Sequence, residues 1–82
     1  MTRQLVIATW EDSSQPSAWQ WLRRSTSWPV IAIRTVGWVI HDDESVLVLA
    51  PSLSLPDEDG DQQVCGARKI PRRAVLSVEV LA

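Results

Sequence analysis

A chain of 82 residues has room for one domain, spanning 1–82. An apolar fraction of 45% excludes wholesale disorder, and a formal charge of -2 excludes a global attraction to nucleic acid or to an acidic membrane. The single cysteine, Cys65, excludes an intrachain disulfide. Secreted domains this small usually carry such staples, so the cytoplasm is the expected compartment.

The chain opens with Leu5 to Trp10, a short β-rich run ended by Glu11-Asp12, which reads as a first strand. The apolar part of this run is too short for a signal-peptide core, and no segment reaches the length of a membrane span. Ser13 to Pro16 is turn chemistry. Ser14 suits a helix cap and Pro16 a first helical turn, so a short helix is expected through Ala18, Trp19, Trp21 and Leu22 to Arg23-Arg24. Ser25-Thr26-Ser27 ends it.

Pro29 to Ile40 carries the strongest strand signal, with Gly37 in the middle marking a bend or bulge. His41 to Glu44 is a polar turn, and Ser45 to Ala50 is the returning strand of a hairpin. Pro51 to Gln63 reads as a loop with an acidic run, Asp57 to Asp61. Val64 to Ile70 reads as a fourth strand, and Pro71-Arg72-Arg73 interrupts it because proline donates no hydrogen bond to a ladder. Ala74 to Leu81 is the last strand, with Leu76, Val78 and Val80 on one face and Ser77 and Glu79 on the other. No internal repeat or interdomain linker interrupts this order.

The sum is a mainly β domain: a five-stranded small barrel, a short helix in the long first loop, and a tight helical turn before the last strand. The bent Val36-Gly37-Trp38-Val39-Ile40 strand, its hairpin through Leu49, and the Ile70-Pro71-Arg72-Arg73 turn resemble Sm-like and Src-homology-type small barrels. Trp10-Glu11-Asp12, Val36-Gly37-Trp38 and Ile70-Pro71-Arg72, in that order, also resemble a family of small bacteriophage and prophage proteins without an assigned activity. That resemblance implies a phage origin and a host-cell cytoplasmic location. The barrel likeness implies a fold and not a ligand. Peptide-binding Src-homology-type domains use a tyrosine-lined groove, and this chain has no tyrosine.

Two basic clusters are candidate phosphate contacts: Arg68, Lys69, Arg72 and Arg73 around Pro71, and Arg23-Arg24 at the expected helix end. Arginine suits the task because its planar fork grips phosphate oxygens in pairs. The alternative is a solvated face neutralised by nearby acids. Trp19 and Trp21 lie two apart, so a helix cannot bury both against one core, and the exposed one would stack on a base or anchor a protein partner. The alternative for each is a buried edge of a lid over the barrel end. Trp10 and Trp38, within strands, read as core or interface residues.

Asp57, Asp59 and Asp61 alternate, but the glycine spacing and the missing closing glutamate do not fit a calcium loop. A solvated loop is expected, and the same holds for Asp42-Asp43-Glu44. His41 and Cys65 are too few for a structural zinc site, and Cys65, within a strand, reads as a small buried hydrophobe. No metal, cofactor or catalytic constellation is expected.

These residues lead to a non-enzymatic binding module, homo-oligomeric, whose ligand carries phosphate: RNA or a nucleotide, a sequestered host defence nucleotide among them. The alternatives are a module that binds and modulates a host protein, or a structural phage subunit.

Overall fold

The computed structural model describes residues 3–12, 19, 21–25, 27, 28 and 30–82. In chain order they form β1 (Leu5–Asp12), β2 (Ile31–Asp42), β3 (Val46–Ala50), β4 (Ser52–Leu53), β5 (Val64–Cys65), β6 (Arg68–Pro71), a 3-10 turn (Arg72–Ala74) and β7 (Val75–Val80). The main sheet has five antiparallel strands in the order β6-β3-β2-β1-β7, and β4 with β5 makes a separate two-stranded hairpin.

β2 is long because it serves two neighbours. Ile31 to Trp38 pairs with β1, and Trp38 to Asp42 pairs with β3, across a register shift between Val39 and His41. Gly37 sits just before the handover. A Cβ there would stand 3.0 Å from the carbonyl oxygen of Ala50, so the absence of a side chain lets β2 and β3 approach at this point.

The core is one face of the sheet. Val6, Ala8 and Trp10 of β1 pack with Leu47 and Leu49 of β3 and Ile70 of β6, with Ile33, Val39 and Val75 partly buried around them. β1 is separated from β6 by two strands in the sheet order, so these contacts require the sheet to roll. Connectivity demands the same, because the edge strands β6 and β7 are joined only through Arg72–Ala74. The backbone N–H of Arg72 donates to the carbonyl of Ser45 (3.0 Å) and fastens that turn to the β2–β3 hairpin.

The expected tight helical turn is therefore present, and the expected closed barrel is not. The sheet is rolled but open, with no ladder between β6 and β7 among the described residues. β6 offers only four residues and ends on Pro71, which has no N–H to extend pairing. No α-helix occurs among the described residues. The expected helix falls partly on 13–18 and 20, which lie outside them. Trp19 and residues 21–23 have no regular structure, and Arg24-Ser25 form a turn. A short helix persists only when an apolar face packs, and Trp19, Trp21 and Leu22 are all exposed.

The single expected strand from Val64 to Ile70 is broken. Gly66 takes a left-handed φ of 75°, next to Pro51 between β3 and β4, and divides one long hairpin into β3–β6 and β4–β5. Cys65 is exposed rather than buried, because it belongs to the projecting β4–β5 hairpin and not to the core sheet. No helix of the described residues is long and apolar enough to cross a membrane.

Candidate functional site

Rolling of the sheet brings one cation from an edge strand onto the core's aromatic anchor. Trp10 is 5% exposed, and its indole Nε1 donates to Thr35 Oγ1 at 2.9 Å, so burying the ring leaves no polar atom unpaired. Arg68, opposite Leu49 on β6, holds its guanidinium carbon 5.1 Å from the centroid of that ring. The contact satisfies the ring-face attraction for a cation while leaving Arg68 exposed.

The four-residue basic cluster does not form one surface. Successive strand residues face opposite ways, so Lys69 lies on the other side of β6 from Arg68 and Ile70. Arg72 is committed: its Nη2 donates to Asp42 Oδ2 at 3.1 Å and lies 3.0 Å from Oδ1 in an ion pair. Arg73 is exposed on the 3-10 turn. The edge strand and its turn thus present Arg68, Lys69 and Arg73 outward, and Arg72 as a positioned pair with Asp42.

Trp19 and Trp21 are both exposed, at 101% and 77%, so neither is the buried lid edge weighed from the sequence. The guanidinium of Arg23 lies 5.0 Å from the Trp21 ring, and Arg24 is exposed beside it. Trp38 is half-buried, on the face of the sheet opposite the core.

The acidic tips are ordered in ways their charge pattern did not disclose. Asp43 Oδ1 accepts from the backbone N–H groups of Ser45 (2.7 Å) and Val46 (2.8 Å), and His41 Nε2 lies 2.6 Å from Asp43 Oδ2. First the His41 hydrogen bond, then the two backbone donors, hold the Asp43 carboxyl down at about 2. Asp43 thus builds the β2–β3 turn. Asp57 does the same for the later turn, with Oδ1 accepting from the N–H groups of Asp59 and Asp61, both at 2.9 Å. The Asp57, Asp59 and Asp61 carboxylates lie within 4.8 Å of one another and are all exposed.

Arg3 stands apart from both basic clusters, and no motif marks it. Its Nη1 donates to the carbonyls of Val39 (3.3 Å) and Ile40 (3.1 Å), where the β2 register shift exposes them. With His41, Asp42, Gly60 and Gln62 it lines a cleft of about 590 Å3. Arg3 spends donors on backbone there, and the acidic turn adjoins, so the cleft is a poorer anion site than the β6 edge.

No protein-family model, no curated protein and no solved structure matches this chain.

Proposed function

We propose that the protein is a non-enzymatic, phage-type binding module, homo-oligomeric, that takes up a phosphate-bearing ligand, RNA or a nucleotide, in the host cytoplasm. The observation that carries this reading is Arg68 stacked on Trp10 at an open sheet edge, with Lys69 and Arg73 exposed along the same edge. The stacking holds the Arg68 guanidinium in place, no carboxylate among the described residues pairs with it, and its N–H donors can serve a phosphate. Arg72, already paired with Asp42, acts by positioning the turn. Trp19 and Trp21, exposed in a segment with Arg23 and Arg24, supply stacking faces for a base.

The test is fluorescence polarisation with a labelled single-stranded RNA and a labelled nucleoside triphosphate, in wild type and in R68Q/K69Q/R73Q. Affinity for one of the probes, weakened by about tenfold or more in the triple variant, supports the reading. Equal binding by both proteins, or none by either, refutes it.

A second reading, a module that binds a host protein, is favoured by one feature: Trp19, Trp21 and Leu22 lie close in sequence and are all exposed. Ultraviolet absorbance of the purified protein separates the two, since retained nucleotide raises the 260 nm signal and a protein ligand does not.

A further inference from the structure

The outer face of the sheet carries apolar side chains on β1 and β2. In β1 the alternate set Val6, Ala8 and Trp10 is buried, yet the other set, Leu5, Ile7 and Thr9, opens with two large aliphatics. Their partners on the same outer face are Trp38 opposite Leu5 and Val36 opposite Ile7, and Val36 is 50% exposed. On β7 the same face carries Ser77 and Glu79. An antiparallel sheet with one face in water commonly alternates apolar-in with polar-out, and β1 and β2 depart from that pattern here.

The charges on this face identify what covers it. Arg34, Thr9 and Ser77 form one cross-strand row, and Val36, Ile7 and Glu79 form the next. Ile7, Thr9, Arg34, Ser77 and Glu79 together line a shallow depression of about 300 Å3. Arg34 and Glu79 stand at its opposite corners, on β2 and β7, and no ion pair among the described residues joins them. One cation and one anion placed diagonally about Ile7 and Thr9 make a self-complementary patch.

We infer that the outer face of β7-β1-β2 docks on the same face of a second copy of this chain. A two-fold axis lies between the faces and crosses the midpoint of the Arg34–Glu79 diagonal. Arg34 of each copy then meets Glu79 of the other, twice, around a centre of Ile7 and Thr9, with Val36 beside it. This rests on the homo-oligomeric part of the function proposed above and not on its ligand. The β6 edge stays outside the contact, separated from β1 by two strands in the sheet.

The experiment is sedimentation-velocity measurement of the dimer dissociation constant for wild type, R34E, E79R and R34E/E79R, at low salt and with ligand removed. Like charges brought together weaken association, so each single variant is expected to raise the constant by about tenfold or more. The double swap restores opposite charges and is expected to return the constant to within about threefold of wild type. Far-ultraviolet circular dichroism checks that each variant is folded, and recovery in the double variant excludes a folding artefact. A monomeric wild type overturns the inference, as does a dimer indifferent to all three variants, which would place the contact at a strand edge. A charge-indifferent dimer that binds RNA or nucleotide refutes this interface alone, a monomer that binds them refutes the homo-oligomeric part of the function as well, and a charge-sensitive dimer with no such affinity refutes the ligand reading alone.

Discussion

Arg68 on β6 lies over the ring of Trp10 on β1, 5.1 Å from its centroid, although two strands separate β6 from β1 in the sheet. The contact exists only because the sheet rolls, so a single pair of residues links the fold to the site. The ring holds the guanidinium at an exposed position without neutralising it, unlike Asp42, which takes up the charge of Arg72.

That difference ranks the arginines. R68Q and R73Q are each expected to weaken phosphate-ligand binding by about tenfold, the worth of a charge-assisted hydrogen bond. R72Q removes a half-exposed ion pair worth at most about 1 kcal/mol and is expected to weaken binding by less than about threefold. Polarisation titrations of the three variants with one RNA probe decide it, and equal losses at all three positions contradict the ranking.

Trp10 combines bulk with one hydrogen bond to Thr35. W10A empties the centre of a small core and is expected to cost about 3–5 kcal/mol. W10F keeps most of the bulk but strands the Thr35 hydroxyl, at about 1–2 kcal/mol. Urea unfolding of both variants, with T35V as the partner substitution, separates the packing and hydrogen-bond contributions.

G37A puts a methyl group 3.0 Å from the Ala50 carbonyl oxygen, a backbone atom in a paired strand that yields only if β2 and β3 part. The expected cost is about 1–3 kcal/mol, as for other overpacked positions. G60A meets nothing within 4 Å and is strained only by its φ of 83°. Thermal melts of the two variants distinguish close approach from backbone strain.

The turn at Asp43 ties stability to acid. Its carboxylate is favoured in the folded state by His41 and by two backbone N–H groups, which lower its pKa from 3.8 to about 2. A lowered folded-state pKa contributes stability that is complete above the unfolded value and is lost as pH falls towards the folded one. The loss is therefore expected between about pH 4 and pH 2 and not near neutrality. D43N removes the titrating group, so stability measured by denaturant titration should fall less steeply for it across that window than for wild type.

Much of the β architecture was legible because periodicity reports which face a strand buries. Leu5 to Trp10, the long strand around Gly37, the hairpin to Ala50 and the proline turn are all present, with β1 running on through Glu11-Asp12 and β2 starting at Ile31 and running on through His41-Asp42, which read as turn. What escaped was longer in range. Whether β6 pairs with β7 depends on edge geometry, and nothing in four residues ending on a proline encodes closure or its absence. The expected strand from Val64 to Ile70 takes no account of Gly66, whose left-handed φ divides it. Leu76, Val78 and Val80 carry the pattern of a core face, and their exposure follows from the edge position of β7.

The candidate site was half legible. Clustered arginines marked Arg68 to Arg73, but strand alternation and Asp42 decided which of them face a ligand, and both depend on the register of β6. Asp43 and Asp57 looked like solvated charges, because side-chain bonds to nearby backbone N–H groups leave no trace in a charge pattern. The value of Arg3 to the β2 register shift depends on a contact across 36 and 37 residues.

Native mass spectrometry of the freshly purified wild type, beside R68Q/K69Q/R73Q prepared identically, tests phosphate-ligand binding most directly. The expected result is a phosphate-bearing mass on the wild-type oligomer and its loss from the triple variant. A bare wild type, or an adduct equally retained by both, would contradict it.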